Sequence, residues 1–468
     1  MADDGGMSRP NILFVIADDH APAAISSYGA SLVATPNLDR LAGEGARFNR
    51  CFCTNSICTP ARATVLTGKY SHTTGIRTLN DVIDHTRERT LGMMLHDAGY
   101  QTAALGKWHL GHGGNSAPVG FDHWSVLPVQ GKYVDPEFHE AGGTVTRRGY
   151  VTDILADMAL DWLRGRDPER PFFLYLGNKA PHDPFTCDAA HAELFADRDL
   201  PEPPTLRDDY RNRAAAAARS TQKVATAHRR RHVPDPPPPD LSGDDLLRWN
   251  YQSFMKGYLR CVASVDDNLG RLLAYLDDAG LAEDTLVVYT SDHGFFLGDH
   301  GFYDKRFMYE ESIRIPLLMR GPGVTQPGLA DDHMVLNVDF APTLLDLAGV
   351  AIPEELPGRS LRPLLQGEAV SDWRTSMYYR YWMHGAHFDV AAHYGVRTET
   401  HKLIYYYGDP LDAAGAVGDP TPPEWELFDL TRDPQELVNV YDDPAYARVR
   451  EELTTELERL RTEVGDTG

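Results

Sequence analysis

The sequence has few cysteines and no apolar run long enough to cross a membrane. Five cysteines among 468 residues are sparse and odd in number, so they predict no disulfide framework. The first apolar run, 12–17, is too short to span a bilayer, and no basic segment with a following apolar stretch precedes it. The sequence therefore predicts a protein without membrane attachment, located in the cytoplasm.

An excess of basic residues is also lacking. The chain has 45 Lys and Arg against 68 Asp and Glu, a formal net charge of −23. This balance excludes nucleic acid as an expected partner, because no surplus of cations is available to neutralise phosphates. A small anionic substrate would still be compatible with the negative net charge, provided that Lys and Arg side chains are concentrated around the binding site.

Short apolar runs alternate with helical patterns over the first three quarters of the chain. The runs at 12–17, 171–176 and 285–290 are continuous, as expected of strands buried on both faces, and 101–105 is a fourth candidate. Helical patterns lie between the runs, at 37–46, 91–98, 153–163 and 258–279. This alternation predicts an α/β fold with a large, mostly parallel sheet flanked by helices.

The pattern changes in the last hundred residues. Segments 402–407 and 425–430 predict strands of a small antiparallel sheet, and apolar residues at helical spacing over 449–460 predict a closing amphipathic helix. We therefore predict a large α/β domain over 8–365 and a smaller α+β subdomain over 366–468.

The segment 211–240 interrupts the large domain. It contains an alanine run, a basic run and four consecutive prolines, which favour an extended polyproline conformation. We interpret it as a surface insertion, and a lid or an arm that joins subunits is the alternative.

Polar residues follow each predicted strand where it ends. In chain order they are Asp18 and Asp19, Lys107 and His109, His182, then Asp292 and His293. Because ligands bind at the carboxyl ends of parallel strands, these side chains are expected to converge. Three carboxylates in one place would repel each other, and a hard cation such as Ca²⁺ or Mg²⁺ would remove the conflict. For Asp18 and Asp19 alone, capping of a following helix is the alternative.

Cys58 precedes Thr59 and Pro60, a pair typical of the N-cap and the first turn of a helix. We predict that a helix begins there and runs to about Leu66. The amides and dipole of its N-terminus would favour an anion at Cys58. A thiol in this position is a candidate nucleophile, and a buried structural cysteine is the alternative.

The segment Cys58-Thr-Pro-Ala-Arg62 matches the pattern C-x-P-x-R. Five further motifs follow in order, at 66–69, 106–111, 180–184, 290–294 and 305–311. With them the chain resembles the formylglycine-dependent sulfatases of the alkaline phosphatase superfamily. The resemblance implies that Cys58 is oxidised to formylglycine (3-oxoalanine) by a formylglycine-generating enzyme. The aldehyde hydrate would then attack the sulfur of a sulfate ester.

The same resemblance implies a set of ligands and catalytic roles. It implies one Ca²⁺, or Mg²⁺, bound by Asp18, Asp19, residue 58, Asp292 and His293. It also implies that Arg62 stabilises the hydrate while Lys107 and Lys305 hold the sulfate oxygens. Finally, His182 would protonate the leaving alcohol, and His109 would accept the proton when the sulfate hemiacetal collapses. Cations around a sulfate monoester would supply electrostatic stabilisation to its transition state.

One position leaves a second activity open. Many sulfatases have Asn where this chain has His293, and the related phosphonate monoester hydrolases also have a histidine there. Those enzymes tend to carry glutamine in place of Asp19 and lack the pair Lys107 and His109. Sulfate ester hydrolysis is therefore the first interpretation, phosphonate or phosphodiester hydrolysis the second, and an inactive metal- and sulfate-binding relative the third.

The C-terminal segments 378–382 and 392–397 resemble those of glycan sulfatases, particularly enzymes acting on N-acetylglucosamine-6-sulfate. His393 and Arg397 are candidate contacts to a sugar and to a neighbouring anionic group. The alternative for 378–382 is a strand of the small sheet packed on the core. The ring position of the sulfate, exo or endo action and assembly into a homo-oligomer are left open.

Overall fold

The computed structural model describes residues 9–30, 32–230, 233 and 236–467, with only the backbone of Arg230. Arg231 and His232 of the basic run lie outside this part of the chain. The strands in it are β1 Asn11–Asp18, β2 Ala46–Phe48, β3 Cys51–Phe52, β4 Gln101–Lys107, β5 His123–Leu127, β6 Glu137–Glu140, β7 Gly143–Thr146, β8 Phe172–Pro181, β9 Thr285–Ser291, β10 Phe296–Leu297, β11 Tyr303–Asp304, β12 Arg314–Ile315, β13 Leu317–Arg320, β14 Leu329–Asp331, β15 Val335–Leu336, β16 Ser376–Tyr381, β17 His393–Thr398, β18 His401–Tyr406 and β19 Glu424–Asp429. The α-helices are α1 Pro36–Glu44, α2 Cys58–Thr67, α3 Ser71–Thr74, α4 Leu91–Asp97, α5 Val151–Gly165, α6 Ala215–Arg219, α7 Gly243–Asp278, α8 Glu310–Ile313, α9 Phe340–Leu347, α10 Arg362–Leu365, α11 Ala386–Asp389 and α12 Ala447–Val464.

A ten-stranded sheet forms the centre of the molecule. Its order is β14-β2-β13-β9-β1-β8-β4-β5-β6-β7. The five strands β9, β1, β8, β4 and β5 are mutually parallel, whereas β13 and the hairpin β6–β7 run antiparallel to their neighbours. The apolar residues of β1 are fully buried because helices cover the sheet. The predicted α/β class with a mostly parallel sheet is therefore confirmed.

The predicted helices are present, with one large difference in length. Helices α1, α5 and α7 pack together, while α2, α4 and α9 form a second group. Helix α7 begins at Gly243, well before the predicted start at residue 258. Asp244 and Asp245 lie in its first turn, where negative charge is favourable to the helix dipole. No α-helix in the described residues combines the length and the apolar character that a membrane span requires.

The C-terminal region forms a second, four-stranded antiparallel sheet in the order β16-β17-β18-β19. Helix α12 packs on it through Leu453, Leu457 and Leu460. The predicted small sheet with a packed helix is confirmed, and segment 378–382 contributes to strand β16 as its alternative interpretation had it. The domain boundary between residues 365 and 366 stays a prediction.

The small sheet is joined to the loops of the large domain by β16. The Tyr379 hydroxyl donates to the carbonyl oxygen of Arg306 at 2.6 Å and accepts from the Ser56 amide at 3.2 Å. The Arg380 amide donates to the carbonyl of Thr54 at 3.1 Å. Ser56 lies two residues before Cys58, so one strand of the small sheet fixes the segment that leads to the candidate nucleophile.

Candidate active site

The predicted polar residues meet at one edge of the large sheet. Asp18 ends β1, Lys107 ends β4, His182 follows β8 and Asp292 follows β9. The register pairs Asp18 with Pro181, and the Asp292 amide donates to the carbonyl of Ala17 at 3.3 Å. Four parallel strands therefore deliver these side chains to one buried cluster.

Four side chains form a group that fits a divalent cation. One ligand atom from each of Asp18, Asp19, Cys58 and His293 lies within 4.8 Å of the others, and all four residues are buried. His293 Nδ1 lies 2.9 Å from the carbonyl oxygen of Gly294, which leaves Nε2 facing the cluster. Asp18 Oδ1 has no hydrogen-bond partner among the described residues, although it is buried. An orphaned carboxylate oxygen beside a second carboxylate and an imidazole is a suitable ligand set for a divalent cation.

Asp292, the fifth predicted ligand, lies at the margin of this group. Its Oδ1 accepts from the amides of Asp19 at 3.3 Å and His293 at 3.1 Å. Its Oδ2 accepts from Arg62 Nε at 3.0 Å. Burial raises the pKa of Asp292 to about 6, with Asp18 nearby adding to the effect. Both oxygens are thus held by protein donors, and Oδ1 also lies 3.4 Å from His293 Nε2.

Cys58 is the first residue of α2, whereas the sequence predicted Thr59 as the cap. Ile57 occupies the capping position in an extended conformation, and Thr59 Oγ1 instead donates to the carbonyl of His109 at 2.9 Å. Burial alone would raise the pKa of the Cys58 thiol, but Lys107 and Lys305 outweigh it and hold the pKa well below its ordinary value. The start of α2 is therefore a place that stabilises negative charge on residue 58.

Arg62 is buried one helical turn after Cys58 and links the carboxylates to the strand ends. Besides Asp292, its guanidinium donates to the carbonyl of Lys107 at 2.9 Å and to the Tyr175 hydroxyl at 3.2 Å. Its Nη2 lies 3.8 Å from Asp18 Oδ1. Several directional contacts on a planar group fix its orientation beside residue 58.

Two lysines face the carboxylates of the cluster. Lys107 donates to Asp18 and to the side-chain oxygen of Gln130, and Lys305 Nζ lies 2.6 Å from Asp19 Oδ1. Both lysines are buried. They supply the local concentration of positive charge that an acidic protein needs to bind an anion.

The backbone around these residues is left-handed at four positions that carry side chains. Positive φ angles occur at Asp19, His109, Asp304 and Arg306, with values of 69°, 57°, 74° and 92°. Such conformations are sparsely populated by residues other than glycine and cluster at functional sites. In this protein they turn the chain next to the cation-binding group and on both sides of Lys305.

The pKa values of the two histidines are shifted in opposite directions. Burial alone would lower the pKa of His182, but Asp19 and Asp18 outweigh it and raise the pKa to about 10. Burial, assisted by Lys107, lowers the pKa of His109 to about 4. The directions of these two shifts suit His182 to donate a proton and His109 to accept one.

Sequence reasoning missed two polar contacts in the site. Tyr175 lies within the apolar run 171–176, and a buried tyrosine needs a hydroxyl partner, which Arg62 provides. Gln130 lies in a loop after β5 and reaches Lys107. The tyrosine could have been suspected from its place in a buried strand, whereas no motif marks the glutamine.

The predicted substrate contacts at His393 and Arg397 are corrected by the structure. His393 is 0% exposed, and its ring packs against Phe307, Tyr379, Tyr381 and Tyr406. Arg397 is 7% exposed and pairs with both carboxylate oxygens of Glu310, at 3.0 and 3.1 Å. Both side chains stabilise the junction of the small sheet with the large domain, and His393 is not accessible to a sugar. A small part of Arg397 lines a surface cavity, but its guanidinium is paired with Glu310, which lines the same cavity.

The α/β fold, with carboxylates, lysines and an arginine clustered at its strand ends, is the arrangement that the resemblance to hydrolases of the alkaline phosphatase type predicts. The chain matches the sulfatase family over residues 10–350, and residues 298–463 match the family described as N-sulphoglucosamine sulphohydrolase, C-terminal. The protein therefore belongs to the sulfatase family and is a sulfuric ester hydrolase, as the sequence predicts.

Known proteins resemble the chain over nearly its whole length. It is 39% identical to an N-acetylglucosamine-6-O-sulfatase of Bacteroides thetaiotaomicron, across 98% of this chain and 87% of the relative. A structure solved in complex with its substrate D-glucosamine-2-N,6-O-disulfate superposes with a TM-score of 0.91 at 38% identity, covering 98% of this chain and 99% of the other. A phosphonate monoester hydrolase of Agrobacterium radiobacter has the same fold, with a TM-score of 0.78 at 24% identity over 97% of this chain and 96% of the other.

Proposed function

We propose that the protein hydrolyses the 6-O-sulfate ester of N-acetylglucosamine or of a closely related amino sugar. The observation that carries the proposal is the buried cluster at the start of α2. In it Lys107, Lys305 and Arg62 contact Asp18, Asp19 and Asp292, the carboxylates beside Cys58. The substrate class is supported by the relative named N-acetylglucosamine-6-O-sulfatase, with which the chain shares 39% identity.

In this proposal Asp18, Asp19, residue 58 and His293 hold one Ca²⁺ or Mg²⁺, with Asp292 beside them. When bound, the cation supplies electrostatic stabilisation for negative charge on the sulfate oxygens. Residue 58 acts as formylglycine, whose hydrate offers one hydroxyl for attack on sulfur and a second for release of sulfate. Arg62 orients residue 58, and the two lysines donate hydrogen bonds to the sulfate oxygens.

Each of the two histidines takes one of the proton transfers. A hydroxyl of the residue 58 hydrate forms the new O–S bond and passes its proton to a neighbouring carboxylate of the cluster. The ester S–O bond breaks, and the sugar oxygen leaves with a proton from His182 Nε2. His109 accepts the proton released when sulfate is expelled from residue 58. An alkoxide is a poor leaving group, so the acid is required for a sugar sulfate and matters less for a phenol.

A panel of esters tests the proposed substrate. We expect kcat/KM to be highest for N-acetylglucosamine-6-sulfate and clearly lower for N-acetylgalactosamine-6-sulfate, which differs only in the configuration at C4. A phosphonate monoester and a phosphodiester complete the panel. Faster hydrolysis of either phosphorus ester than of every sulfate ester would contradict the proposal and favour the second activity.

The modification and the cation require a separate test. Oxidation of the thiol to the aldehyde lowers the mass of the peptide containing Cys58 by about 18 Da. The protein is made in a host with a formylglycine-generating enzyme. Peptide mass spectrometry then determines the state of residue 58, and elemental analysis determines the metal content. An unmodified thiol in fully active enzyme, or full activity in protein shown to be free of divalent metal, would refute the mechanism. A cytoplasmic location stays a prediction.

A further inference from the structure

A buried lysine lies beneath His182 and has no part in the chemistry described above. Lys179, near the end of strand β8 and three residues before His182, is 2% exposed. Its Nζ donates to the carbonyl oxygen of Asp183 at 3.0 Å. Burial, with Lys107 nearby, lowers the pKa of Lys179 to about 8. Burial of an ammonium group costs free energy unless hydrogen bonds or opposite charges compensate for the lost hydration, so the contacts of Lys179 are informative.

The contacts of Lys179 converge on the segment that carries His182. The carbonyl oxygen of Asp183 lies 3.0 Å from Lys179 Nζ and also 3.0 Å from His182 Nδ1. The His182 amide donates to the carbonyl of Lys179 at 3.0 Å. The Asp183 carboxylate also approaches His182 Nδ1, with Oδ1 at 2.8 Å. Asp183 therefore orients the imidazole ring through its carbonyl and its carboxylate, and Lys179 holds the carbonyl.

Tyr133 completes this arrangement from the other side. Its hydroxyl donates to the carbonyl oxygen of His182, and its ring centroid lies 4.8 Å from Lys179 Nζ, within range of a cation–π contact. The ring is buried and stacks on Tyr150 with centroids 5.7 Å apart. Tyr133 thus covers the ammonium and fixes a second carbonyl of the same turn.

We propose that Lys179 and Tyr133 are positioning residues for proton donation by His182. Together they hold the carbonyls of Asp183 and His182, so that Nδ1 is engaged inside the turn and Nε2 faces the leaving oxygen. The inference rests on the acid role given to His182 in the proposed function. Loss of either residue impairs proton transfer and leaves the groups that hold the sulfate in place.

The test compares two substrates whose leaving groups differ in their need for a proton. Lys179→Met and Tyr133→Phe are assayed for kcat/KM with N-acetylglucosamine-6-sulfate and with nitrophenyl sulfate. A positioned acid contributes about 10²–10⁴-fold to rate, so we expect roughly tenfold or greater losses on the sugar sulfate and less than about threefold on the aryl sulfate. Lys179→Arg should restore part of the sugar sulfate activity. Tyr150→Phe, in the ring stacked on Tyr133, is the matched control and should change neither rate by more than about twofold.

Each outcome decides the matter. Equal losses on both substrates, or no loss on the sugar sulfate, would overturn the positioning role. If Lys179→Met does not fold, Tyr133→Phe decides alone, since it removes a single hydroxyl. His182→Ala in the same assays tests proton donation by His182 separately from the positioning role of Lys179 and Tyr133. Selectivity in His182→Ala without selectivity in the positioning variants refutes this inference only, and a wild-type enzyme that releases no sulfate refutes the proposed function with it.

Discussion

Removing the Arg62 guanidinium should destabilise the protein far more than removing an arginine from a pair at the surface. Arg62 is buried, with Nε 3.0 Å from Asp292 and Nη2 3.8 Å from Asp18. Arg62→Met keeps much of the aliphatic length and leaves the buried Asp292 without its cation, while Asp18 keeps its contact with Lys107. Breaking a buried pair from one side lowers the free energy of unfolding by about 3–5 kcal/mol.

The assay is urea denaturation in excess chelator, so that no divalent cation compensates the carboxylates. Arg164→Met is the matched control, because Arg164 lies 3.1 Å from Asp161 with side chains 58% and 78% exposed, and such pairs contribute about 1 kcal/mol or less. Adding Asp292→Asn to Arg62→Met should recover part of the loss, since it removes the uncompensated charge. A loss for Arg62→Met no larger than that for Arg164→Met would refute the reasoning.

Three further predictions concern the nucleophile, the cation and a remote ion pair. Cys58→Ser can attack sulfur but has no second hydroxyl, so mass spectrometry should find a trapped adduct of about 80 Da, and steady turnover would contradict this. Asp19→Asn should lower Ca²⁺ affinity in calorimetric titration and kcat together, and unchanged affinity would remove Asp19 from the ligands. Burial and the adjacent Arg213 lower the pKa of His300, but Asp208 and Glu311 outweigh them and raise it to about 9. The contribution of protonated His300 to the free energy of unfolding is fully present below pH 6.5 and is lost as pH rises through 9. The stability advantage of the wild type over His300→Gln should therefore shrink by up to about 3 kcal/mol across that window, and a constant difference would refute the raised pKa.

Local patterns predicted the centre of the fold and its catalytic edge. A short continuous apolar run with β-branched residues, such as 285–290, favours a buried parallel strand, and the motif after it marks the end of that strand. The antiparallel strands β13 and β6 were not predicted, because they are four residues long and carry little periodicity. The early start of α7 was missed since its first turns lack a continuous apolar face.

The remaining errors depend on contacts between distant segments. Gln130 reaches Lys107 from a loop, and no residue type or spacing near it indicates that contact. His393 lies in an aromatic segment that also suits a sugar-binding surface, and only the packing of β17 on Phe307 and Tyr379 shows that its ring belongs to the core. Patterns identify strand ends well, whereas the accessibility of a side chain is a property of the assembled fold.

The hydrogen bonds of Tyr379 make the catalytic centre of the large domain dependent on the small C-terminal sheet. One hydroxyl from the small sheet fastens both the approach to Cys58 and the turn after Lys305, through Ser56 and Arg306. A chimera that replaced residues 366–468 by the corresponding part of a homologue without a tyrosine at position 379 would keep every reacting group and lose these hydrogen bonds. Exchange of the C-terminal subdomain between homologues is therefore limited by the contacts of Tyr379. Substitutions in β16 are expected to change the turnover rate as well as the choice of substrate.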